Sequence, residues 1–274
     1  MIYQIHHLHC GSMHPLYAAL YGQRGYRAHL VCHCLLLETD QGLVLIDSGF
    51  GIQDYLQPQS RLGRVIKGFT HFQTNLNLSA IAQIQQLGFQ ASDVRHILLT
   101  HLDIDHAGGI SDFPQAMVHV LSSEFNAAEQ LKLHDKRRYR RPQFQQHRYW
   151  NFLEAQAGQA WFNFSCVAGF QDFADDILMI ALPGHSAGHC GYAINAPQGW
   201  VFFCGDAYFS AQELNPKRKL SLLARMQRRL ADNAQQRLET LKKIQHLAKM
   251  HPEVKILCAH DPQNLEPHLN IDKE

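Results

Sequence analysis

The 274-residue sequence lacks the features that mark membrane, secreted and nucleic-acid-binding proteins. It has no apolar run near the roughly 20 residues that cross a bilayer, and no basic start followed by an apolar core. The 25 Lys plus Arg nearly balance the 24 Asp plus Glu, so no net field favours nucleic acid or an anionic membrane. We therefore expect a cytoplasmic protein without a nucleic-acid or membrane partner.

Signals for disulfides are also missing. The seven cysteines are odd in number and include no CxxC pair, which is typical of a reduced, intracellular protein. Cys32 and Cys34 lie two residues apart in an apolar run, so on a strand both would face one side as buried thiols. The sequence also has no glycine-rich phosphate-binding loop and no dinucleotide-binding motif.

Histidine, in contrast, is abundant. The 19 histidines approach the number of lysines and arginines together, and histidine is the commonest metal ligand. We expect most of them to be ordinary residues, including His6, His7, His9 and His14, although these four would also suit a pocket entrance. With 46% apolar and 18% charged residues, the composition is that of a globular protein with a substantial core.

Strand patterns alternate with helical patterns along the chain, which predicts a layered α/β fold. Residues 29–38 and 43–46 flank a turn sequence and predict a hairpin. Helical spacing is expected at 78–87, 220–230 and Ala234–Met250, the last with Leu238, Leu241, Ile244 and Leu247 as its buried stripe. Further short strands are predicted at 95–100, Met117–Leu121, 177–182, 200–204 and 255–258.

Residues 124–164 differ in composition from the rest of the chain. They are rich in Arg, Gln, His and aromatic residues, and they contain the basic run 136–141. We expect a solvated helical insertion there, with a lid or substrate-facing arm as the alternative. A single basic run in a near-neutral chain does not indicate nucleic-acid binding. The prediction for the whole chain is one domain over residues 1–274 that carries this insertion.

A cluster of potential metal ligands follows the predicted strand 95–100. His101, Asp103, Asp105 and His106 fall within six residues, and two glycines after them permit close backbone approach. Imidazole together with carboxylate suits zinc, manganese or iron. Two histidines and two aspartates packed this tightly would be costly without a cation, so a polar turn is the weaker interpretation.

Three more predicted strands end in a similar way. His185 lies in the glycine-containing stretch 183–189, Asp206 in 205–208, and His260 in 259–261. Because functional residues gather at the carboxyl ends of strands in parallel-type sheets, we expect four strand ends to converge on one site. Each segment alone is weak support, and the joint occurrence carries the prediction.

The order of these motifs resembles the metallo-β-lactamase superfamily, whose hallmark is H-x-H-x-D-H with a histidine, an aspartate and a final histidine downstream. The resemblance extends from Asp47 to His260 and implies a four-layer αβ/βα sandwich with metals at one edge. It implies a first metal held by His101, Asp103 and His185, a second held by Asp105, His106 and His260, and Asp206 as the bridge between them. Asp47 resembles a structural residue beside the site, and His189 resembles a position that is not usually a ligand.

Asp103 is the one departure from this pattern, because the family has a second histidine there. A carboxylate makes the first metal site harder and more anionic, which leaves zinc, manganese and iron open. The resemblance therefore implies two divalent metal ions, with zinc as the default. Paired metals lower the pKa of a bridging water and so produce hydroxide near neutral pH.

Within the superfamily, the sequence is most similar to the N-acyl homoserine lactonases. This likeness rests on three features: the stretch Gly-Asp-Ala-Tyr, the final Ala-His-Asp-Pro and the long predicted helix before it. It implies hydrolysis of a lactone or other ester, hence quorum quenching, with Asp105 orienting the hydroxide and moving a proton. Tyr208 would aid the substrate carbonyl, although the family's tyrosine usually lies one residue further along.

Other functions stay open from the sequence. Asp103 also fits a diiron redox protein or an iron-dependent dioxygenase of the same fold. Three further alternatives are an esterase or thioesterase similar to glyoxalase II, a phosphodiesterase, and a metal-binding protein without catalysis. The aromatic-rich residues 13–26 suit either a small-molecule pocket or a homodimer interface.

Overall fold

Two β-sheets form the centre of the protein in the computed structural model, which describes residues 1–63, 70–130, 138–155, 160–167, 170, 173 and 176–269. In the described residues, the first sheet has the spatial order β1 (Ile2–Met13), β2 (Leu30–Thr39), β3 (Gly42–Ile46), β4 (Val94–Leu98), β5 (Met117–Leu121) and β6 (Trp150–Leu153). The second sheet contains β7 (Ala160–Trp161), β8 (Phe164–Val167), β9 (Ile177–Ala181), β10 (Cys190–Ala196), β11 (Gly199–Phe203) and β12 (Lys255–Leu257), ordered from β12 at one edge through β11, β10, β9 and β8 to β7 at the other.

Both sheets mix parallel and antiparallel pairs. In the first sheet, β1, β2 and β3 pair antiparallel, whereas β3, β4, β5 and β6 run parallel to one another. In the second sheet, β11 and β12 are parallel, and the pairs among β7 to β11 are antiparallel. The predicted hairpin is confirmed by the register that places Leu35 opposite Ile46 and Leu37 opposite Val44.

The described residues contain one long α-helix and several shorter ones. They are α1 (Ile52–Leu56), α2 (Pro58–Arg61), α3 (Ala80–Gln86), α4 (Ile104–Ala107), α5 (Ser122–Gln130), α6 (Ser221–Leu230), α7 (Ala234–Met250) and α8 (Pro262–Leu265). Asn233 begins α7 by accepting hydrogen bonds from the backbone N–H groups of Gln235 and Gln236, both at 3.1 Å. No helix among the described residues is long and apolar enough to span a membrane.

Three apolar clusters define the layers. Because side chains alternate along a strand, Leu35 and Leu37 of β2 meet Tyr192 and Phe203 of the second sheet, while Leu36 packs on the opposite face. Cys32 and Cys34 lie buried on that same outer face, as predicted. The outer face of the second sheet packs against Leu241, Ile244 and Leu247 of α7. The predicted four-layer α/β sandwich is therefore confirmed.

One residue of the predicted α7 stripe is wrong. Leu241, Ile244 and Leu247 are buried, but Leu238 is 41% exposed. The buried face instead continues through Arg237 and Thr240, which lie four residues and one residue before Leu241. Apolarity alone does not show which flank of a helix faces the sheet.

Among the described residues, the prediction of a helical insertion over 124–164 holds at its start and in a single 3-10 turn at Arg141–Gln143, and it is wrong at the strands that follow. Helix α5 ends at Gln130, and residues 131–137 lie outside the described residues. Trp150–Leu153 is a strand that pairs in parallel with β5, so the helical prediction is wrong there. The strand forms because the edge of β5 offers hydrogen-bond partners, which four residues of sequence do not reveal. The single domain over 1–274 stays a prediction.

The amino-terminal histidines belong to regular structure. His6, His7 and His9 lie on β1, which the sequence does not predict. The Nδ1 atom of His7 lies 2.8 Å from Nε2 of His33, and the ring of His14 stacks on that of His29 at 5.1 Å. Their partners are other histidines and polar side chains, so the contacts agree with ordinary structural residues, although three of the four lie on a strand.

Candidate metal centre

Side chains from several strand ends meet at one edge of the two sheets. His101 and Asp103 follow β4, His185 follows β9, and Asp206 follows β11; these four offer ligand atoms that all lie within 4.8 Å of one another. A second group with the same spacing contains Asp105 and His106 on α4 and His260 after β12. We call these the first and second ligand groups. The structure thus brings together all seven residues that the sequence predicts to bind metal.

Asp206 faces both ligand groups. Its Oδ1 atom lies 3.3 Å from Nε2 of His106 and 3.1 Å from Nε2 of His260. Its Oδ2 atom lies 3.4 Å from Nε2 of His185 and 3.8 Å from Nε2 of His101. One carboxylate therefore spans the space between the two groups, which is the geometry that a bridging ligand requires.

Asp47 orients two of the imidazoles. The Nδ1 atom of His106 donates to Oδ2 of Asp47 at 2.8 Å. The Thr100 hydroxyl also donates to this oxygen, at 2.8 Å. Because its proton is used in that bond, the hydroxyl oxygen accepts from Nδ1 of His101 at 2.9 Å. With the ring proton on Nδ1, a neutral imidazole presents an unprotonated Nε2 to the site. Asp47 is thus a positioning residue, as the resemblance implies.

Backbone carbonyl groups orient two further histidines. Nδ1 of His260 donates to the carbonyl oxygen of Val31 at 2.8 Å, which leaves Nε2 facing Asp206. His189 differs, because its Nδ1 donates to the Leu182 carbonyl while its Nε2 accepts from the backbone N–H of Asp206 at 3.0 Å. Burial lowers the pKa of His189 to about 3 and keeps it neutral. His189 therefore holds the Asp206 backbone and has no nitrogen left for a metal.

The residues fit a pair of cations. Nε2 of His101, Nε2 of His106 and Oδ1 of Asp206 are buried without a hydrogen-bond partner. Imidazole lone pairs that face carboxylate oxygens repel them unless a cation or a proton lies between. The nitrogen and oxygen donors suit zinc, manganese or iron, which agrees with the predicted choice of metals.

Burial and neighbouring charges shift the pKa values in opposite directions across the site. Burial, reinforced by His106, lowers the pKa of His101 well below its usual value. Burial also lowers the pKa of His106, but Asp206 and Asp47 outweigh this and hold it well above the usual value. Burial raises the pKa of Asp105. A proton therefore competes with a cation for His106, so cation affinity should increase with pH.

Glu124 joins the two loops that carry the first ligand group. Its Oε1 atom accepts from the backbone N–H of Leu102 at 3.0 Å, between His101 and Asp103. Its Oε2 atom accepts from the Ser186 hydroxyl at 2.7 Å and the Gly188 N–H at 2.8 Å, beside His185. The side chain is completely buried. The sequence gives no signal for this role, because the partners lie 22 to 64 residues away.

Ser186 lies in a Gly-x-Ser-x-Gly spacing, which in some hydrolases presents a nucleophilic serine. Here its side chain is buried and its hydroxyl donates to Glu124. A serine nucleophile needs a histidine base and an exposed hydroxyl, and this hydroxyl is already engaged with a carboxylate. Ser186 therefore has a structural role.

The predicted catalytic Tyr208 does not face the ligand groups. It is fully buried in the cluster beneath α7, and its hydroxyl has no hydrogen-bond partner among the described residues. This buried position does not support a direct role at the site, and the catalytic role of Tyr208 stays a prediction. The next residue, Phe209, lies there instead, with its ring centroid 5.0 Å from that of His260 and 6.1 Å from that of His185. The family's longer tyrosine spacing is the signal that indicates position 209.

Comparisons with known proteins agree with this arrangement. The model of the metallo-β-lactamase superfamily matches residues 28–247. A Mycobacterium tuberculosis protein named "Probable metallo-hydrolase" is 38% identical over 265 residues, which cover 94% of this chain and 80% of the relative. An N-acyl homoserine lactonase of Bacillus thuringiensis is 24% identical over 201 residues, 69% of this chain and 68% of the relative.

The fold also matches solved structures. An N-acyl homoserine lactone hydrolase with the product N-hexanoyl-L-homoserine at its catalytic metal centre superposes with a TM-score of 0.74. The match has 18% sequence identity and covers 100% of this chain and 99% of that chain. At this identity the likeness establishes a shared fold.

Proposed function

This chain belongs to the metallo-β-lactamase superfamily as a metallo-hydrolase, and we propose that it hydrolyses lactones or other carboxylic esters. The observation that carries the proposal is the position of Asp206 between the two ligand groups. Its Oδ1 atom faces His106 of the second group and its Oδ2 atom faces His185 of the first, while both oxygens lie 3.1 Å from Nε2 of His260. Such a site suits attack by water on a carbonyl carbon, because both the attacking and the leaving oxygen carry negative charge in the transition state.

The residues that would hold the cations are those of the two ligand groups, with Asp206 common to both. Two divalent ions held there would supply an activated water at neutral pH and polarise the substrate carbonyl. We propose zinc as the metal, because the imidazole-rich second group suits it well.

Asp105 is the proposed proton carrier. Its Oδ2 atom lies 3.5 Å from Nε2 of His260, and burial raises the pKa of this carboxyl group. A carboxylate with a raised pKa is a stronger base, so it accepts a proton from the attacking water more readily, and the resulting carboxyl group can return that proton to the leaving alcohol. Asp47 and Thr100 keep the imidazoles in place, and the Phe209 ring supplies an apolar wall that limits water.

A lactone is the first substrate class to test, because the Bacillus thuringiensis relative is named an N-acyl homoserine lactonase. Phe209 cannot donate the hydrogen bond that a tyrosine there would give to the substrate carbonyl. We therefore propose a lactonase with slower turnover than one that has a tyrosine at this position.

The test uses zinc-loaded full-length protein and four substrates at equal concentration. They are N-hexanoyl homoserine lactone, an unsubstituted γ-lactone, a glutathione thioester and a bis-aryl phosphodiester. We expect the lactones to be hydrolysed fastest, and Asp105→Asn to lower kcat by about 100-fold or more. Because Asp105 also belongs to the second ligand group, zinc content is measured on the same variant, and the kcat comparison is made at zinc concentrations that load both groups. The matched control is Asp93→Asn, which changes an aspartate in the turn just before β4 that belongs to neither ligand group.

Absence of lactone and ester hydrolysis in protein that is folded and holds two zinc ions would refute the proposal. A clear preference for the phosphodiester would assign another reaction to the same site. Metal content measured on protein purified without added metal separates zinc or manganese from iron, and two irons with a visible absorption band would favour the redox alternative.

A further inference from the structure

Asp103 brings an extra negative charge to the first ligand group, in the place where the family motif has a neutral histidine. Its Oδ2 atom lies 3.1 Å from Nε2 of His185 and 3.3 Å from Nε2 of His101. Together with Asp206, the group therefore contains two carboxylates that are nearly buried. A second buried carboxylate is costly unless another charge offsets it.

Arg138 provides that charge. Its Nη1 atom donates to both oxygens of Asp103, at 3.1 Å to Oδ1 and 2.9 Å to Oδ2. Its Nη2 atom donates to the carbonyl oxygen of Leu230 at 2.6 Å, at the end of α6. Only 14% of the Arg138 side chain and 15% of the Asp103 side chain are exposed. The pair is thus largely desolvated, and its geometry is fixed on both sides.

The backbone places Arg138 in register with Asp103. The neighbouring Tyr139 forms an antiparallel β-bridge with Asp103 and is buried in the core. Arg140 donates from Nε to the carbonyl oxygen of Arg61 at 2.9 Å. The short segment 138–140 is therefore held at three successive residues, and the guanidinium does not depend on a freely moving loop.

We propose that Arg138 is a positioning residue for the first metal site, and that it makes Asp103 equivalent in charge to the family's neutral histidine. Guanidinium stays protonated at any working pH, so it balances the carboxylate permanently. By donating to both oxygens, it also fixes the carboxylate rotamer in which Oδ2 faces His101 and His185. This inference rests on the metal-binding part of the proposed function and not on its substrate.

A merely structural role for Arg138 makes a different prediction. In that case the arginine ties the segment 138–140 to α6 through Leu230, and its loss acts equally whatever residue occupies position 103. Removal of the guanidinium also removes its repulsion of a bound cation. The resulting gain in cation affinity is again the same whether residue 103 is aspartate or histidine. The orientation of the Asp103 carboxylate and the compensation of its charge are the effects that depend on both Arg138 and Asp103, so the coupling between the two substitutions measures them together.

The experiment is a double-mutant cycle of wild type, Arg138→Met, Asp103→His and the combined variant. Zinc dissociation constants of both sites are measured by competition with a chromophoric chelator, starting from metal-free protein, with thermal melting recorded in parallel. The matched control is Arg141→Met, because Arg141 pairs with Glu129 at the surface at 3.6 Å. We expect that control to leave both dissociation constants unchanged.

The expected result is a coupling of about tenfold or more at one zinc site, as for other residues that orient a metal ligand. Arg138→Met should weaken zinc binding when residue 103 is aspartate. The same substitution should have a more favourable effect on zinc binding when residue 103 is histidine. Effects that agree within about threefold in the two backgrounds, or a coupling of opposite sign, would overturn the inference. If the histidine variants do not fold, Asp103→Asn provides the neutral background. Coupling in a protein that hydrolyses no ester would leave this inference standing and refute the proposed substrate.

Discussion

Replacement of Glu124 by glutamine tests how the two loops of the first ligand group are held. The carboxylate accepts three hydrogen bonds, from the N–H of Leu102, the hydroxyl of Ser186 and the N–H of Gly188. Glutamine has one acceptor oxygen and one NH2 group. Whichever way the amide turns, NH2 faces a backbone N–H, of Leu102 in one orientation and of Gly188 in the other.

The magnitude follows from that mismatch. A buried donor without an acceptor costs about 1–3 kcal/mol, and a hydrogen bond to a charged group contributes about 1.5–3 kcal/mol. Burial raises the pKa of Glu124, which means that the buried charge is itself unfavourable and that glutamine regains part of the loss. We expect Glu124→Gln to lower the free energy of unfolding by about 2 kcal/mol, and Tm by about 4–8 °C.

Urea unfolding of the metal-free protein measures the free energy, and chelator competition then measures zinc affinity. Glu129→Gln is the matched control, because Glu129 lies on the same helix with an exposed side chain. Zinc affinity should fall about tenfold in Glu124→Gln and stay unchanged in the control. A Glu124 variant within about 0.5 kcal/mol of the control would refute the reasoning, because surface changes alone have effects of that size.

Three further predictions concern the site and the core. Phe209→Tyr places a hydroxyl beside His185 and His260 and should raise kcat/KM for a lactone about tenfold; unchanged or lower turnover at full zinc loading would contradict this. Burial raises the pKa of Asp112 to about 7, so the folded protein keeps a proton that the unfolded chain releases near pH 4. Unfolding free energy should therefore fall as pH rises from 4 to 7, and Asp112→Asn, which keeps an acceptor for the N–H of Ile52, should flatten that slope relative to wild type. Zinc binding should release a proton from His106 and strengthen with pH, and calorimetry in buffers of different ionisation enthalpy should detect it; binding without proton release would argue against this.

The sequence predicts the parts of the fold that local pattern controls. The hairpin of β2 and β3 has a turn sequence between two apolar runs, and β5 was predicted with the observed bounds. Strand β6 was missed, since its partner β5 lies about 30 residues earlier and its four residues have no strong period. Leu238 was placed in the core because apolarity does not show which helix flank a sheet will cover.

The candidate site divides in the same way. The ligand residues can be identified in the sequence, because four of them fall within six residues and the others follow predicted strands. The residues that orient them do not. Thr100 donates a hydrogen bond to Asp47 and accepts one from His101. Glu124 holds two loops together, and Arg138 pairs with Asp103, which lies 35 residues earlier in the chain. Their roles arise only when distant segments pack.

The sequence by itself determined the family, the layered fold and the chemistry of the ligand atoms, because these depend on residue type and on spacing along one chain. Tertiary structure decided which aromatic residue faces the site, so that Phe209 and not Tyr208 contacts the histidines. It also decided that Arg138 offsets the charge of Asp103. Side-chain direction and charge pairing depend on distances in space, and neighbouring positions in a sequence contain no such distances.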